Sequence, residues 1–414
     1  MSAPSAAQGP LSFLLDGARV SLAASSEPPH RTLLQWLRAT GRTASKEGCA
    51  EGDCGACTVL LLDRDGQGNP TWRAINACIA LLATMHEREI VTAAGLGLLA
   101  GEKVEGFAES LHPVQQAMIR RYGSQCGYCT PGFVCSMAEG YYREDLSASS
   151  NEERILDQLN GNLCRCTGYR AIRDAMSDAL AAKATKDLTR DLLQITKKKA
   201  LPAASSFAFE TSEGAFLRPS NLEELLAAKA KDPEAELVCG ATEIGVYANK
   251  KQQRWKTLIA VDTIPELLAI SATEQAWRIG ASVSLTSVEE ALAGEYPLLD
   301  AMFAVFASRP IRSRASLAGN LVTASPIGDM APCLLALDAT LHLASKERGA
   351  REVAIASFFT GYRATVLAKD EVVVAIEIPR GVTAGCTREQ SSVKVSKRRE
   401  LDISIVSAAF VVDV

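Results

Sequence analysis

The sequence predicts an α+β chain of several domains, and three observations carry that prediction. The 414 residues are 47 % hydrophobic, enough for two to four ordinary cores. The apolar periodicity changes along the chain, from short strands about one helix, to consecutive helices, to mixed strands and helices. Nine of the twelve cysteines fall between Cys49 and Cys166, most of them in tight pairs or a triplet, so the first two regions share a chemistry that the third lacks.

The first region, residues 1–92, opens with "SFLLDGARVSLAA", two short strands joined at Asp16-Gly17, a strong hairpin signal. In "PPHRTLLQWLRATG", Leu33, Leu34 and Leu37 recur at helical spacing and Gly41 stands where a helix stops. "CTVLLLD" reads as a strand, "GQGNP" as a turn, and "INACIALLATMH" as a buried helix or strand, its length leaving the choice open. Residues 93–185 read as four helices, "SLHPVQQAMIRRYG", "TPGFVCSMAEGYYRE", "SNEERILDQLNGN" and "YRAIRDAMSDALAAKA". Pro131 suits a first turn, Ser150 or Asn151 an N-cap, and helices of this length suggest a small bundle. Residues 186–206 lose periodicity and read as a linker. From 207 to 414 a mixed α/β unit follows, with the helix "NLEELLAAKAK" capped by Asn221 and strands in "AELVCGA", "KTLIAVDTI", "AWRIGASVSL" and "EVVVAIEIPR". No repeat of 20–50 residues occurs, which excludes solenoids and propellers.

Forty-four basic and 48 acidic residues give a formal net charge of −4, no footprint for nucleic acid or an anionic membrane. The basic clusters "TKKKA" and "KVSKRRE" read as solvated charges. No apolar run approaches the roughly 18 residues of a membrane span, and "MSAPSAAQGPLSF" lacks the pattern of a signal peptide. The expectation is a cytoplasmic protein, where thiols stay reduced and a disulfide scaffold is not expected. Cys135, Cys239, Cys333 and Cys386 stand apart from the cysteine motifs and read as small buried hydrophobes.

Cys49, Cys54 and Cys57 form C-x4-C-x2-C, with Cys78 as a fourth candidate, the spacing of a plant-type [2Fe–2S] loop. Thiolates converging on one cluster force tight turns that Gly48, Gly52 and Gly55 adopt cheaply, and N–H groups of such a loop offset the charge on sulfur. A zinc site is the alternative, but zinc loops more often pair two C-x2-C hooks. Cys126 and Cys129 in "GSQCGYCTPG", with Cys164 and Cys166 in "GNLCRCTGYR", leave zinc and iron–sulfur open on ligand type alone; a ferredoxin-like loop in the same chain favours a second [2Fe–2S] cluster. His30, His86, His112 and His342 lie far from these hooks in sequence, against a Rieske centre. "GLGLLAG" lacks the spacing and flanking strand of a dinucleotide fingerprint; "LVCGATEIG" and "SLAGNLVTASP" are small-residue loops that could admit a phosphate or be ordinary tight turns.

"GCAEGDCGACTV", "NACIA", "HPVQ", "GSQCGYCTPG" and "GNLCRCTGYR", in this order, resemble the iron–sulfur domains of the molybdenum hydroxylases, above all the xanthine dehydrogenases. "LVCGATEIG", "SLAGNLVTASPIGDMAPCLLALDA", "FFTGYR" and "VKVSKRRELDIS" extend the resemblance through the third region. It implies a β-grasp plant-type ferredoxin domain, a four-helix-bundle [2Fe–2S] domain and an FAD-binding domain of the molybdenum hydroxylase type. The eight thiols of Cys49, Cys54, Cys57, Cys78, Cys126, Cys129, Cys164 and Cys166 would hold two [2Fe–2S] clusters. FAD contacts carry over to Leu237, Val238, Cys239, Gly240, Ala241, Thr242, Glu243 and Ile244, then Phe306, Ser316, Asn320, Asp329, Val373 and Lys394. The chain departs from the family at Cys239, usually aliphatic, and at Ala318, which replaces a glycine of a Gly-Gly-Asn segment. Family flavin domains also continue beyond "SIVSAAFVVDV", so the expectation is a short domain or a missing C-terminal piece.

No residue reads as a purine-oxidising base, and the resemblance assigns that chemistry to a large molybdopterin subunit, a partner in an (αβ)2 heterotetramer. The implied function is the small subunit of a xanthine dehydrogenase. It would pass electrons from partner molybdenum through the Cys126 cluster and the Cys49 cluster to FAD and on to NAD+, in oxidation of hypoxanthine and xanthine to urate. The same relay serving an aldehyde, nicotinate or other heterocycle hydroxylase is the alternative, and a non-enzymatic metal-binding sensor the second.

Overall fold

The computed structural model describes residues 9–99, 111–184, 191–382 and 385–414, and sequence readings that touch 1–8, 100–110, 185–190 or 383–384 lie outside them. β1 (Leu11–Leu15) and β2 (Ala18–Leu22) form the predicted hairpin, with Asp16 and Gly17 at φ 52° and 79°, as a type I′ turn demands. α1 (Leu33–Ala39) begins at Thr32, whose side chain and that of Gln35 cap each other's backbone. β3 (Thr58–Arg64), β4 (Pro70–Asn76) and β5 (Glu89–Val91) complete a sheet of order β2-β1-β5-β3-β4, in which only β1 and β5 run parallel.

"INACIALLATMH", expected as one helix or strand, is neither. Ile75 and Asn76 end β4, and Leu82–Met85 make a single 3-10 turn. Every residue from Ile75 to Met85 is buried, so the apolar run reflects a loop enclosed on all sides rather than an element with a face.

Among the described residues the helical part holds the four expected helices and one more. α2 (Ala93–Leu99) was not foreseen; α3 (Pro113–Arg120), α4 (Thr130–Tyr142), α5 (Glu152–Leu159) and α6 (Arg170–Lys183) were. Pro131 lies in the first turn of α4, and Asn151 rather than Ser150 caps α5, accepting from Arg154 N. The linker contains a short helix, α7 (Leu192–Lys197), capped by Asp191 and tied to β4 by Trp72 Nε1, which donates to Leu193 O at 3.0 Å.

Beyond it, β6 (Phe207–Thr211), β7 (Gly214–Arg218), α8 (Leu222–Lys231), β8 (Glu236–Val238), α9 (Ile244–Lys250) and β9 (Thr257–Ala260) build a four-stranded sheet of order β6-β7-β9-β8. After α10 (Pro265–Leu268) come β10 (Ile270–Ala272) and β11 (Ala276–Gly280), then α11 (Leu285–Ala291), α12 (Pro297–Phe303), α13 (Arg309–Arg312), α14 (Leu317–Val322) and α15 (Met330–Ala336). β12 (Thr340–Ser345) and β13 (Gly349–Ala354), the small pair β14 (Phe359–Gly361) and β15 (Ala364–Thr365), and β16 (Val372–Pro379) follow, the second sheet running β10-β11-β16-β12-β13. β17 (Arg388–Val395) and β18 (Val406–Asp413) pair as a separate antiparallel ribbon, one face on α12 and α15. Its other face exposes Val393, Val395, Val406, Phe410 and Val412, each 47 % accessible or more.

Strand alternation decides how the parts are joined. On β3, Val59 and Leu61 face a core completed by Phe207, Phe216, Val238 and Leu258 of the third part. Leu60 and Leu62 face the opposite core, filled by Phe133, Met137 and Tyr141 of α4. One strand thus sits between the other two parts. Arginines lock the seam: Arg309 pairs with Glu139 and Glu290, Arg73 with Glu290, and Arg88 and Arg314 with both Asp63 and Asp262.

Candidate functional site

The loop after α1 carries Cys49, Cys54 and Cys57, and the buried run after β4 brings Cys78 back to it. Cys49 Sγ lies within hydrogen-bonding reach of Cys54 and Cys78, and Cys57 within reach of Cys78. Cys54 N also donates to Cys49 Sγ at 3.4 Å. Sharing protons this way pulls the Cys49 thiol far down and pushes Cys54 and Cys78 up, so thiols so crowded become thiolates together only around a cationic centre. Gly52 and Gly55 have φ of 92° and 65°, as expected for the tight turns. Gly48 does not take positive φ; it is small because a Cβ there would stand 2.6 Å from Cys54 Sγ, and Ala50 takes the left-handed position instead, at φ 57°.

Cys126 and Cys129 precede α4, while Cys164 and Cys166 lie between α5 and α6. Their thiols meet in pairs, Cys126 with Cys166 and Cys129 with Cys164. Burial, then Cys164, pushes Cys129 up to about 12. Burial opposes ionisation of Cys164 too, but Thr167 donates from its hydroxyl (3.2 Å) and its N–H (3.4 Å) and holds that thiol below its usual value. Among the described residues no three His, Cys, Asp or Glu side chains close on one point as ligands of a single ion. Thiols that meet pairwise suit a dinuclear iron–sulfur cluster, where two irons share four thiolates, better than tetrahedral zinc.

The two cysteine loops touch. Leu163 N, beside Cys164, donates to Cys54 O at 3.0 Å, and Tyr128 OH donates to Glu47 O. Gly55 abuts the Gly161 carbonyl and Asn162, while Gly132, in the first turn of α4, abuts the Gly55 carbonyl. Asn162 is steadied by Ser136 at 2.9 Å, and Asn76 Nδ2 donates to Gly52 O. Nothing in the spacing of cysteines marks Tyr128, Ser136 or Asn162 for these roles.

In the third part, Leu237 and Val238 are the end of β8 and Cys239–Glu243 the loop into α9. Ala241 takes φ 59°, and Gly240 packs directly on the Arg314 carbonyl. Arg314 Nη2 returns a hydrogen bond to Cys239 O at 3.3 Å; this buried arginine was not singled out in the sequence. Gly245 N donates to Ala241 O at 2.7 Å, and Glu243 makes no side-chain cap on α9. Its carboxylate instead accepts from Tyr247 OH (2.8 Å) and Arg363 Nη1 (3.3 Å).

Ser316 caps α14, accepting from Gly319 N at 3.1 Å. One turn later Asn320 Oδ1 is buried with no hydrogen-bond partner, 3.5 Å from where a Gly328 Cβ would stand. Asp329 and Lys394 form a buried ion pair at 2.9 Å, 4 % and 2 % exposed, with Ser404 OH on the second carboxylate oxygen and Phe306 5.9 Å from the ammonium. Phe306, Ser316, Asn320, Asp329 and Lys394, scattered over some ninety residues, are therefore arranged along α14 and the segments around it. Val373 and Val238 are buried in apolar cores, and Leu237 packs against one; no polar contact of their side chains is seen. The orphaned amide oxygen of Asn320 is the feature a flavin dinucleotide would satisfy.

Three family models match the chain. The family model "2Fe-2S iron-sulfur cluster binding domain" matches residues 19–83, "[2Fe-2S] binding domain" 103–177, and "FAD binding domain in molybdopterin dehydrogenase" 207–381. Xanthine dehydrogenase of Emericella nidulans is 32 % identical over 96 % of this chain, and that of Drosophila pseudoobscura pseudoobscura 34 % over 96 %. The xanthine dehydrogenase/oxidase of Rattus norvegicus is 33 % identical over 96 %. The chain spans about a third of the length of these relatives, 32 %, 33 % and 32 % respectively. A solved structure, quinoline 2-oxidoreductase from Pseudomonas putida 86, aligns at 27 % identity and a TM-score of 0.42 over 46 % of this chain and 66 % of that one. With two [2Fe–2S] domains and an FAD-binding domain in this order, the chain belongs to the molybdenum hydroxylase family.

Proposed function

We propose that this chain is the electron-transfer subunit of a xanthine dehydrogenase, working with a separate molybdopterin subunit and delivering electrons to NAD+. Cys49, Cys54, Cys57 and Cys78 would hold one [2Fe–2S] cluster, Cys126, Cys129, Cys164 and Cys166 the other, and the segments around Gly240, Asn320 and Lys394 the FAD. When bound, such clusters exchange single electrons and a flavin exchanges one or two, so together they convert between paired and single transfers.

The chain's own residues prepare that traffic. Cys54 N and the Thr167 N–H and hydroxyl donate to ligand sulfurs, dispersing negative charge and favouring the more reduced state of a bound centre. Leu163 and Tyr128 hold the two cysteine loops together, and the Asp63–Asp262 arginine cluster keeps the third part docked on the first. The observation that carries the reading is this contiguity: the second cysteine loop touches the first, and the first rests on the helix that leaves the phosphate loop. The chain spans about a third of each xanthine dehydrogenase it matches.

Purified native protein should show flavin and iron–sulfur absorption, about four irons per chain, and a co-purifying larger polypeptide. Cys129→Ser should abolish xanthine-driven NAD+ reduction while NADH-to-dye activity at the flavin stays largely intact. Equal loss of both in a folded variant would refute the proposed order, and a colourless zinc protein would refute the reading altogether.

A further inference from the structure

α9 joins two sites. Its N-terminal end is the Gly240–Glu243 loop; its C-terminal end rests on the first cysteine loop. There Asn249, half-buried, donates through Nδ2 to the carbonyl of Cys78 at 2.7 Å and that of Ala50 at 3.0 Å. Its Oδ1 accepts from Gln35 Nε2 of α1 at 3.2 Å. Both donor hydrogens and the acceptor are thus used, each on a different segment of the first part. One turn earlier, buried Gly245 packs against the Ile79 backbone so closely that a Cβ would collide with the Ile79 carbonyl. Lys250 adds a looser ion pair to Glu51 at 3.5 Å.

These contacts fall on the residues next to Cys49 and on Cys78 itself. They come from the third part, so they couple the shape of the first cysteine loop to the placement of the phosphate loop. The Nδ2–H bonds also bring the positive ends of two dipoles to the edge of the thiol cluster. Bonds of this polarity near an iron–sulfur centre favour its reduced, more negative form.

Resting on the proposed function, we propose that Asn249 is a positioning residue: it clamps the first cysteine loop to the flavin-phosphate helix, and its two donated hydrogen bonds hold the reduction potential of the cluster bound there above the value it would otherwise take. No covalent step is involved. The group acts on the ease with which one electron resides on the first centre, and leaves the second centre alone, because no atom of Asn249 reaches Cys126, Cys129, Cys164 or Cys166 in its hydrogen bonds.

The test is an EPR-monitored redox titration of the holoprotein, wild type against Asn249→Leu, with iron and flavin measured on the same samples. The expected result is full iron and flavin in Asn249→Leu, and a first-cluster reduction constant lowered at least threefold, about 30 mV at 59 mV per tenfold for one electron. The second cluster's potential should be unchanged. Asn249→Gln, which keeps an amide donor, should recover part of the shift. A first-cluster potential equal to wild type, or an equal shift of both clusters, overturns the assignment. Should Asn249→Leu purify without iron, Asn249→Ser is titrated instead. Its short hydroxyl cannot span to the Ala50 and Cys78 carbonyls, so a lowered first-cluster potential supports the assignment, whereas an unchanged one overturns it. Absence of two EPR-distinct centres or of flavin in the wild type would instead refute the proposed function and be recognised as such.

Discussion

Arg309 is the place where a single substitution should most clearly expose how the parts are held. Its guanidinium is 2 % exposed, its Nε donates to Glu139 Oε1 at 2.9 Å, and its Nη2 reaches Glu290 at 3.3 Å. Glu139, on α4, is fully buried, and its other oxygen accepts from Gln158 Nε2 at 3.2 Å. Arg309→Met keeps the packing volume roughly but leaves the Glu139 carboxylate without its cation. Breaking one partner of a buried pair costs about 3–5 kcal/mol. With about 2.1 cal/mol/K of unfolding entropy per residue, 414 residues give about 0.9 kcal/mol/K, so the thermal midpoint should fall by about 3–6 °C. Arg309→Met/Glu139→Met removes both charges, and such exchanges are often near neutral; calorimetry should find it within about 1 °C of wild type. A single variant that melts with wild type, or a double variant no better than the single, would refute the claim that this pair matters through uncompensated buried charge.

Gly55→Ala places a Cβ at φ 65° against the Gly161 carbonyl and Asn162, costing about 1–2 kcal/mol of backbone strain before the clash is counted; purified protein should have lost iron, and wild-type iron content would count against the contact between loops. Asp329→Asn strands the buried Lys394 ammonium and should weaken FAD retention at least tenfold, roughly 1.4 kcal/mol, read by flavin fluorescence on dilution. Stability should fall on acidification in two stages. Burial pushes the stacked His86 down to about 4, so the unfolded chain gains its proton first and stability drops from about pH 6.5 to 4, a loss that His86→Phe should remove from melting curves. Burial raises the Glu290 carboxyl, but bidentate Arg73 outweighs it and holds the group to about 2, so its contribution is complete above about pH 4.5 and is lost as pH falls towards 2. Glu290→Gln should flatten that lower stage.

Much of the chemistry was legible because it lies in contiguous motifs. Three cysteines and their glycines announce a cluster loop whatever surrounds them, and Asp16-Gly17 announces its turn. The segments were harder to read where burial came from other parts of the chain. "INACIALLATMH" is apolar without period because it is enclosed, and α7 hides in a lysine-rich stretch because its partner is Trp72, far away in sequence. Arg314 and Asn249 left no local signal at all, since each matters only for the carbonyls it meets across a seam. Asp329 and Lys394, as proposed flavin contacts, follow from family resemblance and not from pattern; their ion pair spans 65 residues.

The ribbon of β17 and β18 has a practical consequence. Val393, Val395, Val406, Phe410 and Val412 form one apolar strip, and neither outer edge of the ribbon is paired within the described residues. Open strand edges beside such a strip are templates for strand addition. Handled alone at high concentration, the polypeptide should therefore be colloidally sticky at this corner even while its redox-bearing regions stay native, and loss of material on storage would begin here rather than at the cysteines.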